Sequence, residues 1–266
     1  MTEKTIQIVF ADYDIKIITD VAAVIERINW VFAEMLEPSA DSRNLGTLYA
    51  CKTDEGYKLG GDVGVDLEDG SLPDVIRCLQ YSVIQLLIQA KSELVWLHAG
   101  AVAKHGAVIL LPGSRGQGKS GISTGLCKSG WQFLSDDICP LEPDTDKVIP
   151  FPLAPSAREF PGEEKTEDWL RAYNKKDIEL PKNLLIRQPL ALNKLIFPKF
   201  EHGAATQLNV TSPAMAAFEL IRTCWNYDDH KEKLFNYIAG LVERVPAYKL
   251  VYSDRDHAVD TLSRTF

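Results

Sequence analysis

The sequence has no C-x-x-C pair, and its five cysteines (Cys51, Cys78, Cys127, Cys139, Cys224) are odd in number and scattered along 266 residues. That pattern argues against a disulfide framework and against a structural zinc site, and it fits reduced thiols. Basic charge is also short. With 29 Lys and Arg against 37 Asp and Glu, the formal net charge is −8, so neither nucleic acid nor an anionic membrane is an expected partner, because both reward clustered cations. A local basic pocket around a nucleotide is compatible with that total. No apolar run is long enough to span a bilayer: Val83–Ile88 is short and interrupted by Gln85. No charged-then-apolar leader opens the chain, and the expected location is the cytoplasm. Internal repeats and low-complexity tracts are missing too. What remains is ordinary globular composition, 45% apolar and 25% charged, long enough for one or two domains with a large core.

Against those absences stands one stretch that organises the chain. Gly113-Ser114-Arg115-Gly116-Gln117-Gly118-Lys119-Ser120 fits G-x-x-x-x-G-K-[ST] and lies between an apolar run, Gly106–Leu111, and a helix-like run from Lys119 to about Ser129 closed by Gly130. In such a loop the glycines let backbone N–H groups turn inward on a phosphate. The helix N-terminus adds partial positive charge, and the lysine reaches the β and γ oxygens. The nucleotide-binding set is therefore Gly113, Ser114, Arg115, Gly116, Gln117, Gly118, Lys119, Ser120 and the adjoining Gly121, with the Ser120 hydroxyl available to Mg²⁺. A glycine-rich turn that merely starts a helix is the alternative.

Upstream, Thr5–Phe10 and Asp14–Thr19 read as a hairpin, Val21–Leu36 as an amphipathic helix, and Thr47–Cys51 with Tyr57–Leu59 as a second hairpin across Asp54-Glu55-Gly56. This opening third carries no catalytic constellation. Pro73–Ala90 has a strong helical period, with Asp74 suiting the helix dipole. Leu94–Ala103 reads as one strand leading through the turn Lys104-His105-Gly106 into the strand before the loop, and His105 reads as solvated. Beyond the loop helix, Trp131–Leu134 is a short strand ending in Ser135-Asp136-Asp137, and Ile138–Leu141 leads to a turn at Asp144–Lys147, from which Val148–Phe151 returns. Residues 152–189 are rich in proline, charge and breakers, apart from a helix at Glu167–Tyr173. A strand at Lys194–Phe197 follows, then a helix capped by Ser212 with Pro213 at its first position. A helix at Glu232–Val242, a strand at Ala247–Tyr252 and a closing helix at Asp256–Leu262 complete the reading.

Asp136 and Asp137 follow Lys119 by seventeen and eighteen residues. In phosphoryl transfer one carboxylate can hold Mg²⁺ while another takes the proton of an attacking hydroxyl. Adjacent carboxylates suit both tasks, since a like charge raises a pKa and a metal lowers it. The bland reading is a polar strand exit. A lone histidine on an apolar strand, His98, is by itself more often a satisfied core residue.

Leu97-His98-Ala99-Gly100-Ala101-Val102, Gly113–Ser120 and Gly130–Asp137 together resemble the HPr kinase/phosphorylase family, and in particular the HPr-kinase-like proteins of bacterial biosynthetic clusters, some of which modify precursor peptides. The resemblance spans about residues 95–160 and is weaker at Leu195–Pro198 and Tyr248–Tyr252. It implies that Lys119 contacts the transferred phosphate, that Ser120 and Asp136 bind Mg²⁺, and that Asp136 or Asp137 is the base, with His98 beside it. The implied fold is an α/β phosphate-loop nucleotide core shared with phosphoenolpyruvate carboxykinases. The family's later signature has no secure counterpart: Glu159, Glu163 and Glu164 lie near the expected region with only Gly162 beside them, so the reverse phosphorylase reaction is not implied. Arg158 reads either as a cation on the phosphate side or as a solvated arginine.

The sequence therefore leads to a small N-terminal α+β module at residues 1–92 and a kinase domain at 93–266. The expected activity is ATP- and Mg²⁺-dependent transfer of the γ-phosphate to a hydroxyl, with serine favoured, on a peptide, protein or small molecule. A protein that holds ATP for regulation or assembly without transferring it is the competing expectation, and a carboxykinase-like enzyme, for which no carboxylate-binding arginine set can be placed, is a weaker third. A homo-oligomer is left open.

Overall fold

The structure is a computed structural model that describes residues 3–37, 41–63, 66–158 and 175–266. The expected helix at Glu167–Tyr173 lies outside the described residues, as do Glu159, Gly162, Glu163 and Glu164. The chain is mixed α/β and divides into two compact units, Met1–Ser92 and Glu93–Phe266. No described helix is long and apolar enough to cross a membrane.

The first unit is a five-stranded sheet, ordered β1 (Lys4–Phe10), β2 (Tyr13–Thr19), β3 (Arg43–Lys52), β4 (Tyr57–Gly61), β5 (Leu67–Gly70). All neighbours are antiparallel except β2 and β3, and that parallel pair needs a crossover, which α1 (Ala22–Val31) supplies. The helix expected to reach Leu36 stops five residues earlier, where Asn29, Trp30 and Val31 are weak helix formers, and continues as a 3₁₀ turn at Ala33–Met35. Alternate residues Ile6, Ile8 and Phe10 of β1 and Ile15 and Ile17 of β2 are buried, and α2 (Leu72–Ala90) buries Val75, Leu79, Val83 and Leu87 at helical spacing. Ser71 starts that helix, its hydroxyl accepting from the Asp74 N–H. The buried Asp14 carboxylate is satisfied by Ser42 Oγ at 2.9 Å and Asn44 Nδ2 at 2.7 Å, so it reads as structural.

The second unit is built on β6 (Val95–Leu97), β7 (Ala99–Lys104), β8 (Ala107–Pro112), α3 (Lys119–Lys128), β9 (Gln132–Ser135), β10 (Cys139–Glu142) and β11 (Lys147–Val148). It continues through β12 (Ser156–Arg158), β13 (Lys175–Asp177), β14 (Leu190–Phe200), β15 (Gln207–Val210), α4 (Pro213–Thr223), α5 (Lys231–Arg244), β16 (Ala247–Tyr252) and α6 (Arg255–Thr265). The main sheet has nine strands and branches at β14, whose first residues pair with β11, its middle with β8 and its end with β16.

Strands β8, β14 and β16 are mutually parallel, and both faces of the sheet they form are covered. The period of two sorts their side chains. Val108 and Leu110 pack on one face with Leu195, Leu220, Ile238 and Leu241, so α4 and α5 cover that side. Ile109 and Leu111 pack on the other with Ile122, Leu126, Ile196, Val259 and Leu262, under α3 and α6. The result is a helix–sheet–helix sandwich in which β8, β14 and β16 all end at the same edge, where ligands of open α/β sheets bind.

Candidate functional site

The loop between β8 and α3 leaves the sheet at that edge. Gly116 and Gly118 take positive φ values of 87° and 88°, and Gly118 is the left-handed residue that begins α3. A Cβ placed on Gly118 would stand 1.8 Å from the Tyr252 hydroxyl oxygen, so glycine is required both by backbone and by space. Tyr252, the last residue of β16, donates from that hydroxyl to the Gln117 carbonyl at 2.8 Å. The Gln117 side-chain oxygen accepts from the Phe200 N–H at 3.2 Å at the end of β14, and the Phe200 and Tyr252 rings meet edge to face. The loop is thereby tied to the ends of both neighbouring parallel strands. Lys119 is only 5% exposed and its ammonium donates to the carbonyls of Gly113 at 2.7 Å and Ser114 at 3.2 Å, closing a ring inside the loop. Ser120 follows at the first turn of α3, its carbonyl accepting from Thr124 Oγ1. Gly121 faces Arg255 of α6, and Arg115 is exposed.

His98 lies where the run expected as a single strand breaks in two. Leu97 pairs with Cys139 in β10, whereas Ala99 pairs with Pro112 in β8, so the histidine sits between two ladders rather than in either. Its N–H donates to the Thr223 carbonyl at the end of α4 at 2.7 Å, and its carbonyl accepts from the N–H of Gly113, the first loop glycine, at 3.2 Å. The ring meets Trp225 edge to face at 6.1 Å. These bonds fix its backbone to the loop and to α4 at once.

The paired aspartates part company. Ser135 ends β9 and pairs with Ala101, and Asp136 is buried, 3% exposed. Its Oδ1 lies 3.6 Å from where a Cβ on Gly100 would stand, and that same point is 3.6 Å from Ser123 Oγ, so the carboxylate and the second turn of α3 both border Gly100. Asp137 has φ 70°, and Ile138 N–H closes a three-residue turn onto the Asp136 carbonyl at 2.9 Å. Such a turn is rare and strained, at about 1–3 kcal/mol, and is kept where surrounding structure demands it. It turns Asp137 outward: its side chain is 48% exposed, and Oδ1 lies 2.9 Å from His98 Nε2.

Charge and burial around the site act on two thiols. Burial, helped by the Asp136 charge, pushes Cys127 on α3 up to about 12, and burial does the same to Cys224 beside Trp225. Both are inert thiols rather than nucleophiles.

The structure thus brings together His98 with Asp137, Lys119 with the first two loop residues, and Asp136 with the helix that carries Ser120. The side chain of Arg158 lies outside the described residues. Sequence reasoning did not find Tyr252, Phe200, Thr223 or Trp225. All four act across more than eighty residues of chain, through a backbone atom or a ring edge, and no local pattern announces them.

A cleft of about 530 Å³ opens beside Gly113, Ser114 and Gln117, walled by the ends of β14 and β16 and by α4. Among the described residues no cluster of three or more His, Cys, Asp or Glu side chains could hold a metal alone. Mg²⁺ does not need one, since it is commonly held by one or two protein oxygens together with substrate phosphates and water.

No family model matches the sequence, and no curated protein matches it. Among solved structures the chain is similar to the HPr(Ser) kinase/phosphatase from Coxiella burnetii, at 12% identity over 64% of this chain and 94% of that one, with a TM-score of 0.36. A TM-score that low does not by itself establish a common fold.

Proposed function

We propose that residues 93–266 form an ATP- and Mg²⁺-dependent kinase that transfers the γ-phosphate to a hydroxyl, with serine the favoured acceptor. The observation that carries this reading is the tie between Gly113 and His98. One hydrogen bond joins the glycine whose carbonyl holds the Lys119 ammonium to the histidine that pairs with Asp137. The lysine that would hold the phosphate and the carboxylate–imidazole pair are therefore tied to the same glycine, which supports their acting on one transferred group.

The donor set suits the two ligands. Two left-handed glycines at a helix N-terminus and a lysine already directed into the loop suit a polyphosphate, whose oxygens would replace the Gly113 and Ser114 carbonyls as the lysine's acceptors. The hard oxygens of Ser120 and the buried Asp136 are the ones that would hold Mg²⁺, which when bound neutralises charge developing on the phosphoryl group. Asp137, exposed and oriented by His98, takes the acceptor's proton onto its carboxylate. His98 orients Asp137 and shares the charge. Tyr252 and Gln117 hold the loop still, so that no conformational search is left for the moment of transfer.

The experiment is phosphate transfer by a protein carrying both Asp136→Asn and Asp137→Asn. Transfer is expected to vanish while the fold persists; full transfer would sink the reading. Mg-ATP binding by the wild type with no phosphorylated product in any extract would instead favour a protein that holds nucleotide without using it.

A further inference from the structure

We propose that the cleft beside the phosphate loop, together with the outer strip of α4, receives a polypeptide acceptor whose hydroxyl is flanked by acidic side chains. This rests on the kinase reading and names the substrate of the same site.

The cleft borders Gly113 and Ser114, the two residues whose carbonyls hold the Lys119 ammonium, so it adjoins the end of the loop where the lysine meets the transferred phosphoryl group. Its walls carry Lys199, Arg222 and Lys249 against a single carboxylate, Glu219. Lys199 is paired outside the cleft with Glu201, and Arg222 stands 3.6 Å from Glu219 while lying over the Phe218 ring. The lining is cationic in a chain whose net charge is −8. Such a local inversion favours an anionic partner and steers its approach.

What distinguishes a polypeptide from a small anion is the surface continuous with the cleft. Met215 lines the cleft and is 53% exposed, Phe218 is 53% exposed one turn later, and Trp225 follows at 40%. Residues 215, 218 and 222 lie on one side of α4 by helical spacing, and past the helix's end at Thr223 the exposed Trp225 ring meets the His98 ring. From Met215 to Arg222 the helix rises about 10 Å, the reach of about three extended residues, and Trp225 lies beyond the helix's end. An extended segment along this strip would place acidic side chains against Arg222 and Lys249 and its hydroxyl between Lys119 and Asp137. Exposed apolar residues in a contiguous strip are unusual on a surface that binds nothing.

Binding tests this without requiring transfer. Fluorescein-labelled ten-residue peptides with a central serine flanked by Asp, by Asn or by Lys are titrated with the full chain and followed by anisotropy at low salt. The Asp-flanked peptide is expected to bind about tenfold or more tighter than the Lys-flanked one, since each exposed ion pair contributes up to about fivefold. Arg222→Glu with Lys249→Glu, both at exposed positions, reverses the order. Equal binding of the three peptides by the wild type overturns the proposal, as does displacement of the Asp-flanked peptide by glycerate at comparable concentration, which would assign the cleft to a small acid. Self-association abolished by Phe218→Glu, with no peptide binding, would assign the strip to a second copy and also overturn it. Charge-dependent binding without any transfer would contradict the kinase reading and leave the docking site standing; transfer to acceptors lacking acidic flanks would do the opposite.

Discussion

Asp136 and Asp137 are neighbours in sequence and opposites in environment. The left-handed turn at Asp137 buries one carboxylate behind α3 and directs the other, half exposed, onto His98. Asp137→Asn is expected to lower the rate of transfer by about 10²- to 10⁴-fold with nucleotide affinity little changed, because it removes a proton acceptor and not a phosphate ligand; rapid-quench turnover alongside calorimetric ATP binding separates the two. At Gly118 the constraint is steric. Gly118→Ala costs about 1–2 kcal/mol from the left-handed backbone alone, and its methyl would overlap the Tyr252 hydroxyl. Adding Tyr252→Phe should restore part of the lost nucleotide affinity, a coupling that a double-mutant cycle reads directly; strict additivity would contradict the contact. At this scale the sequence singled out the loop glycines, the lysine, the histidine and the aspartate pair. It left the aspartates' roles open, because adjacent residues on an irregular turn have no period from which to read direction.

Among the elements, those with a strong local signal were legible. The Ser212-Pro213 start of α4 is present as expected, the Ser212 hydroxyl accepting from the Met215 N–H, and the strand Ala247–Tyr252 has the expected limits. Ser212→Ala should destabilise the fold by about 1 kcal/mol through the lost cap, measured as a lower urea midpoint at unchanged slope. Elements defined by long-range pairing were not legible. The run Leu94–Ala103 is apolar throughout, so nothing in it marks the break at His98 that hands the chain from β10 to β8 and β9. The strand expected at Lys194–Phe197 extends from Leu190 to Phe200 and includes Pro198. Strand β8 pairs with β14 only as far as Leu195, so Pro198 lies past that ladder, and on the other side it stands opposite Leu250 of β16. Strands β5 and β15, rich in polar residues, exist because a neighbour offers them an edge.

For the whole molecule, the second unit buries its own two core clusters, one on each face of its sheet. We expect residues 93–266 expressed alone to unfold cooperatively and to bind Mg-ATP; an aggregated or molten product would contradict that independence. Stability should fall at alkaline pH. Cys127 and Cys224, with an ordinary value of 9.0 when unfolded, are raised to about 12 by burial, so between pH 9 and 12 the unfolded chain releases protons that the folded one keeps, and the equilibrium shifts toward unfolding. Thermal melts across that window check the sign, with serine at both positions flattening the slope. The central claim is phosphoryl transfer, and its most direct test is γ-labelled ATP incubated with fractionated host extract and wild type, Lys119→Ala or Asp137→Asn protein. The account predicts a labelled species with wild type alone, carrying the phosphate on a hydroxyl. Labelling that persists with Lys119→Ala, or none at all from a wild type that binds Mg-ATP, would contradict it.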